Sequence, residues 1–444
     1  MTYRILADSF CHARVTRLYL FYVVEILVAA ILFPAMSQAF IDDGDGLLDV
    51  GEAPGYPMDP TLAWESVYLD SRSIQDLDGA NLLVNVQELY LDNNKIASIE
   101  SGDFNGLNRL LTLDLSDNQI AHMELGVFSD SIYLQQLDLS SNRLTSIESG
   151  TFSGLDYLPG LNLSRNRITS INAGTFSGLT YTQKVDLSRN RLTSIEPDMF
   201  EGLVHPRTLD FSFNRIAHID SESFQQLDTL LILDLERNDV TNVDSGTFDN
   251  LSNLKFLNLS RNQLTSIKSD TMSGLISLQS VTFQGNHIQS IASGALAGLN
   301  ELEVINLIDN DFTELNLSHA TLSKLRELWI DRDAIVSLRL DGSELSENAW
   351  DIITKRTTSI EDVSLVWMTF QNGNPSDLNS LLSKTSLHNV WVDPHLYSTY
   401  ATEFDTFDAI AGNTVTIVPE PSTLATMLVA ACLLLFQRSF YRHP

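Results

Sequence analysis

The sequence predicts a β-rich α/β solenoid, with a curved parallel sheet on its concave face and irregular or short-helix turns on its convex side. Three observations predict it. Ten asparagines recur every 24 residues: Asn94, Asn118, Asn142, Asn166, Asn190, Asn214, Asn238, Asn262, Asn286 and Asn310. Each carries the same frame, with apolar residues five and three before it and another two after it. A second column, Phe104, Phe128, Phe152, Phe176, Phe200, Phe224 and Phe248, lies ten residues after successive asparagines, and Met272 and Leu296 continue it. Self-similarity at such a period marks stacked units, because one unit cannot bury its apolar face alone.

Each element of the repeat has a physical reading. Leu137 and Leu139 alternate with polar neighbours, as on a short strand with one buried face. Asparagine offers a donor and an acceptor end, so a buried column can bond backbone groups of the next coil. Asn118, Asn142, Asn166, Asn190, Asn214, Asn238 and Asn262 are therefore expected to form a structural ladder. The phenylalanines read as an apolar spine beneath the convex side.

The stretch Leu137-Asp138-Leu139-Ser140-Ser141-Asn142-Arg143-Leu144, followed by Ile147 to Leu155 with Phe152 in the convex turn, resembles the 24-residue class of the leucine-rich repeat. The resemblance covers residues 64–340 and implies a horseshoe-like recognition scaffold. Within 61–340, Trp64 to Leu82 reads as an atypical first repeat, with Arg72 at the asparagine place. Leu328, Ile330 and Ile335 give one more repeat, with Asp333 at that place. Residues 341–417 alternate between expected helices (Ser346–Arg356, Asp377–Lys384, Tyr400–Ala411) and expected strands (Val363–Met368, Val390–Val392, Val415–Val418). They read as a degenerate C-terminal cap, with a separate small domain as the alternative.

The ends carry targeting signals. Arg4, Arg14 and Arg17, then the apolar run Leu18 to Phe33 and the small residues around Ala39, read as a signal peptide over 1–39, with an uncleaved anchor as the alternative. At the other end, Pro419-Glu420-Pro421 precedes a short apolar run, Leu424 to Phe436, and then Arg438 and Arg442. That order, over 418–444, resembles the PEP-CTERM sorting signal of bacterial surface proteins. The resemblance implies an exosortase as processing enzyme, a short transmembrane segment, and a final place in the cell envelope or extracellular matrix. A plain tail anchor is the alternative. The two cysteines, Cys11 and Cys432, fall inside these segments, so a processed chain would hold no disulfide.

Residues 40–60 are an acidic linker rich in Gly, Pro and Asp. Within it Asp43, Asp45, Asp49 and Glu52 fall at positions 3, 5, 9 and 12 of a calcium loop, although Ile41 stands at position 1. Two readings stay open, a calcium site and a solvated linker. No other cofactor is expected.

The chain carries 27 basic and 57 acidic residues. Removing 1–39 and 424–444 would leave 22 against 55, a net charge near −33. Such a surface repels nucleic acid and anionic lipid, so no nucleic-acid partner is expected, and membrane contact only through the terminal signals. No motif for nucleophilic, phosphate or metal-hydrolase chemistry stands out, and the protein is read as a non-enzyme, with a hydrolase in 341–417 as a remote alternative.

Candidate ligand-binding residues face outward from the concave strands. One column runs Tyr90, Asp114, Asp138, Asn162, Asp186, Asp210, Asp234, Asn258, Thr282, Asn306, Trp329. The next runs from Asp92 through Ser188, Ser212, Glu236 and Ser260 to Ile308 and Asp331. Beside them lies an arginine edge: Arg143, Arg165, Arg167, Arg189, Arg191, Arg215, Arg237 and Arg261. The plainer expectation is that these arginines neutralise the aspartate column in surface pairs. The sharper one is a mixed-charge strip that docks a protein or an acidic polysaccharide, with Tyr90, Phe213, Ile308 and Trp329 as apolar anchors. The functional expectation is a secreted, surface-sorted recognition or adhesion protein, and the alternative a passive component of an extracellular matrix.

Overall fold

The structure, a computed structural model, describes residues 65–331, 335–356, 360–366, 368–370, 378–384 and 386–418. It is a solenoid of about 14 turns. Twelve parallel strands, from Ser66–Tyr68 through Lys184–Asp186 to Glu327–Trp329, form one sheet in sequence order. Register follows the repeat: Leu209 pairs with Leu233, and Asp210 with Asp234, one period apart. In every three-residue strand of this sheet the middle side chain is buried, as Leu113, Leu209 and Ile305 show. That residue and the next apolar one face inward, which is why an apolar-polar-apolar triplet makes a strand here.

The asparagine column is buried and fully engaged, with one correction to the expected direction. Asn190 Nδ2 donates to the Leu163 carbonyl at 2.9 Å and to the Leu187 carbonyl of its own coil at 3.0 Å. Its Oδ1 accepts from Ile168 N–H at 3.0 Å. The ladder therefore reaches back to the preceding coil, not forward to the next. Asn118, Asn142, Asn166, Asn214, Asn238 and Asn262 repeat the arrangement. Arg72, at the asparagine place of the first repeat, is held in the same direction: Asn94 of the next coil accepts from the N–H of both Arg72 and Ile74.

The phenylalanines form the expected spine. Phe104, Phe128 and Phe152 stack at 5.8 and 6.3 Å between ring centroids, and Phe200, Phe224 and Phe248 at 5.9 and 6.1 Å. Met272 and Leu296 extend it and are buried. Between coils the convex turns come close. A Cβ on Gly202 (φ +102°) would stand 2.5 Å from the Phe176 carbonyl oxygen, so glycine is required there by both space and dihedral.

A second, minor row of strands lies after the asparagines, for example Ser194–Ile195 beside His218–Ile219. Past Asn310 this row takes over. It widens into a five-stranded parallel sheet: Glu314–Asn316, Ser337–Arg339, Asp362–Ser364, Asn389–Val392 and Thr414–Ile417. The concave row ends at Trp329. Helix α1 (Glu347–Arg356) packs against that last strand, and α2 (Asn379–Leu382), α3 (Pro394–Thr399) and α4 (Ala401–Asp408) follow. The three expected helices and three expected strands of 341–417 are all present, mostly with shorter bounds, and α3 is an addition to them. The region continues the stack through strand pairing in register: Leu338 pairs with Val363, and Val363 with Val390.

Candidate ligand-binding surfaces

Each aspartate of the concave column is held by its own turn. Asp138 Oδ1 accepts from Ser140 N–H at 2.8 Å, Asp210 from Ser212 at 2.8 Å, and Asp186 from Ser188 at 3.0 Å. The remaining carboxylate oxygens line up across the sheet at the strand spacing of ~4.8 Å. Asn162 donates to Asp138 Oδ2 at 2.8 Å, and Asn258 hydrogen-bonds Asp234. Burial lifts the Asp234 carboxyl to about 7, and the neighbouring Asp210 adds to the rise. Asp210 is raised by burial and then by Asp186. The column is thus a crowded row of like charges, poorly solvated and short of cations. Among the described residues no group of three His, Cys, Asp or Glu side chains is placed to cage a metal ion.

The plainer expectation for the arginines fails. None of the eight pairs with the aspartate column. Arg237 and Arg261 each reach Glu236, at 3.6 Å, and Arg143, Arg165, Arg167, Arg189, Arg191 and Arg215 have no carboxylate partner within 4.0 Å among the described residues. The reason is directional. The aspartates stand on the strand, while the arginines sit three and five residues later, where the chain has turned onto the rim. Arg165, Arg189, Arg237 and Arg261 occupy one backbone site, the residue before the asparagine, with φ near +55°. Phe213 occupies the same site, and its ring is sandwiched by Arg189, 4.1 Å away, and Arg237, 4.7 Å away. That double contact is a cation–π stack that fixes both guanidinium groups.

The second outward column is a further correction. Ser188, Ser212 and Ser260 are buried, so it offers little contact surface at its centre. Tyr90 is half-buried and stacks flat on Tyr68, with centroids 4.8 Å apart. Burial, and then the charge of Glu88, raise its hydroxyl to about 12, so it stays a neutral donor. Trp329 closes the sheet, its indole N–H donating to Glu327 at 3.1 Å. Ile308 is half-buried.

The column two residues before the aspartates is absent from the expected sites. It carries Ile232 and Phe256, paired in register, 38% and 45% exposed on the concave face. An exposed Ile–Phe pair on the eighth and ninth of the twelve strands is a more central anchor than the aromatics at the sheet's ends. Its signal in the sequence is a third outward position of the same strands. Tyr133, Tyr157 and Tyr181 form another exposed column, in the turns that enter the strands, and the last two stack at 5.6 Å.

Residues 84–132, 132–184, 180–240 and 228–288 match the family described as Leucine rich repeat. The fold is a leucine-rich repeat solenoid. Solved structures similar to it include the TLR13–ssRNA13 complex (21% identity, TM-score 0.51, 80% of this chain and 52% of that one). They also include the Drosophila Toll–Spatzle complex (21%, TM-score 0.55, 74% and 47%) and the APL1 leucine-rich repeat domain (22%, TM-score 0.50, 73% and 79%). The chain spans about half the length of the first two. At these identities the likeness is one of fold. No curated protein matches the sequence. Asp43, Asp45, Asp49, Glu52, Asp333, Pro419, Glu420, Pro421 and the segments 1–39 and 424–436 lie outside the described residues. Among those described, no helix is long and apolar enough to cross a membrane.

Proposed function

We propose that the protein is a secreted, surface-sorted recognition module whose concave sheet binds a protein partner. The observation that carries this reading is the Ile232–Phe256 pair, exposed on the eighth and ninth strands of a twelve-stranded polar sheet. Apolar side chains ringed by polar groups are what a binding hot spot requires, and a monomer gains nothing by exposing them. Rigid stacking lets such a surface bind without ordering loops first. The Toll–Spatzle structure is of a protein complex on a similar scaffold, which supports the choice of a protein partner. The terminal segments support export: a basic-then-apolar start, and a Pro-Glu-Pro motif before a short apolar run and a basic tail. Processing by an exosortase would then place the solenoid on the envelope or in the matrix.

The test is capture of envelope and matrix proteins on the full chain, against the same chain carrying Phe256→Ala. Saturable binding that Phe256→Ala weakens by about tenfold or more supports the reading, as expected for a central anchor. Equal, unsaturable retention on both chains leaves a passive matrix spacer. Intact-mass measurement of the native protein tests sorting; residues 424–444 still attached in the surface form would leave an ordinary anchor.

A further inference from the structure

Among the described residues the arginine rim gathers eight positive charges, and six of them have no carboxylate partner. Its backbone shows that the gathering has a cost. The site before each asparagine must be left-handed: its ten occupants from Asn93 to Asp309 all have positive φ. The outer coils fill it with Asn93, Asp117, Ser141, Gly285 and Asp309, mostly residue types that reach this region readily. The five central coils fill it with Arg165, Arg189, Phe213, Arg237 and Arg261, which do not. A turn needs no arginine, so the side chains are there for what they present.

They present a template. Each backbone is pinned to the next coil, with Arg165 N–H donating to the Ser188 carbonyl at 2.9 Å and Arg189 N–H to the Ser212 carbonyl at 2.8 Å. A parallel row, Arg143, Arg167, Arg191 and Arg215, lies two residues further on and is pinned to the preceding coil, Arg143 N–H to the Ile120 carbonyl at 2.8 Å. The two rows span six coils, about 24 Å at ~4.8 Å per coil.

We propose that this rim binds a linear acidic polysaccharide, one carboxylate-bearing sugar per coil. The step decides between polyanions. A chain of uronic acids rises by about one coil spacing per sugar, so successive carboxylates, which point to different sides of the chain, can meet the two arginine rows in turn. An extended acidic peptide rises only ~3.4 Å per residue and drifts by about 1.4 Å at each coil. Single-stranded nucleic acid needs open aromatic faces for base stacking, and both faces of Phe213 are covered by arginine. The stack also fixes two guanidinium groups, of which Arg189 has no carboxylate partner among the described residues and Arg237 lies 3.6 Å from Glu236. The rim is a different surface from the concave face, so this inference and the protein-partner reading fail separately.

The experiment measures binding of the full chain to sodium polygalacturonate, with poly-L-glutamate, single-stranded RNA and neutral dextran as comparison probes. Polygalacturonate is expected to bind in a salt-sensitive manner, more tightly than poly-L-glutamate or RNA at equal charge, with no binding to dextran. The variant Arg143→Gln/Arg167→Gln/Arg191→Gln/Arg215→Gln changes only exposed side chains and is expected to weaken binding by about tenfold or more. Arg167→Gln/Arg191→Gln serves as a lighter variant, with a loss of about threefold. Phe256→Ala is expected to leave polygalacturonate binding unchanged. Equal affinity for poly-L-glutamate or RNA, or full binding by both arginine variants, overturns the proposal.

Discussion

The coils before Trp329 and those after it share two rows of strands in opposite proportions, and a short third row, Thr321–Leu322 with Glu344–Leu345 and Thr369–Phe370, joins them around the change. Before Trp329 the concave row is the continuous twelve-stranded sheet, and the second row survives as isolated pairs such as Ser266–Ile267 with Ser290–Ile291. After it the second row carries the five-stranded sheet, and helices fill the place of the first. The buried columns run on through the change: Ile267, Ile291, Leu315, Leu338, Val363 and Val390 are all buried. A stack of coils fixes which residues point inward, but either inward-facing run can be the sheet. The local sequence decides. Glu347 to Arg356 contains one apolar-polar-apolar triplet, Trp350-Asp351-Ile352, but its buried residues Ala349, Trp350, Ile353 and Thr354 fall at helical intervals. The concave sheet ends where the rows exchange.

The largest expected effect separates the two regions. Trp350 is 1% exposed and is the bulkiest fully buried side chain. Trp350→Ala should cost about 3–5 kcal/mol. Because coils contact only their neighbours, hydrogen exchange should accelerate in 335–418 and stay slow around the Phe104–Phe152 spine. Uniform acceleration would show one cooperative unit and remove the distinction.

The regular coils should depend on the ladder instead. Asn190→Ala leaves the Ile168 N–H and the Leu163 carbonyl without their partner, at a cost of about 1–3 kcal/mol in reversible denaturation. A loss below about 0.5 kcal/mol would count against a ladder that holds the stack.

These two predictions also mark what the sequence could reveal. A ladder and a spine recur at a fixed period, so Asn190 and Phe128 declare themselves by position. Ile232 and Phe256 do not, because their column is filled elsewhere by Thr208, Ser280 and other small or polar residues, and no rule of composition singles out one outward position. The left-handed φ at Arg165 is invisible in a residue type that normally avoids it. The exchange of rows is hidden for a different reason: both rows carry alternating apolar residues, and only stacking decides which one pairs continuously. Helix α3 starts at Pro394 behind an Asp393 cap that accepts from His395 and Leu396 N–H, a short-range signal that the 24-residue period does not carry.

A smaller effect tests the aspartate row. The Asp234 carboxyl is raised from an ordinary 3.8 to about 7 in the folded chain. The stability it contributes is fully present below about 3.8 and is lost as pH rises through about 7. Asp234→Asn cannot ionise. It should therefore gain about 1–2 kcal/mol on the parent at pH 8, after allowance for solvent screening, and nothing at pH 3. Parallel stability curves for the two chains would show that the row is not strained by its charge.

The smallest effect tests the rim. Arg165→Asn puts a residue suited to φ +55° at a site already left-handed. Thermal unfolding should show no loss and a gain of up to about 1 kcal/mol. A clear loss would mean the arginine stabilises the coil, and the backbone cost at the central rim would disappear.

The backward reach of the asparagines bears on how such a chain is made. During synthesis residues arrive in order, and Asn190 finds both the Leu163 carbonyl and the Ile168 N–H already delivered. A coil can lock onto the one before it without waiting for anything still to be translated. Folding can then keep pace with the ribosome, one period at a time. At every intermediate length the nascent chain presents one growing edge, a few residues wide, however many coils lie behind it. Long repeat arrays are exposed to misassembly between copies, and this arrangement keeps the vulnerable surface constant while the protein grows.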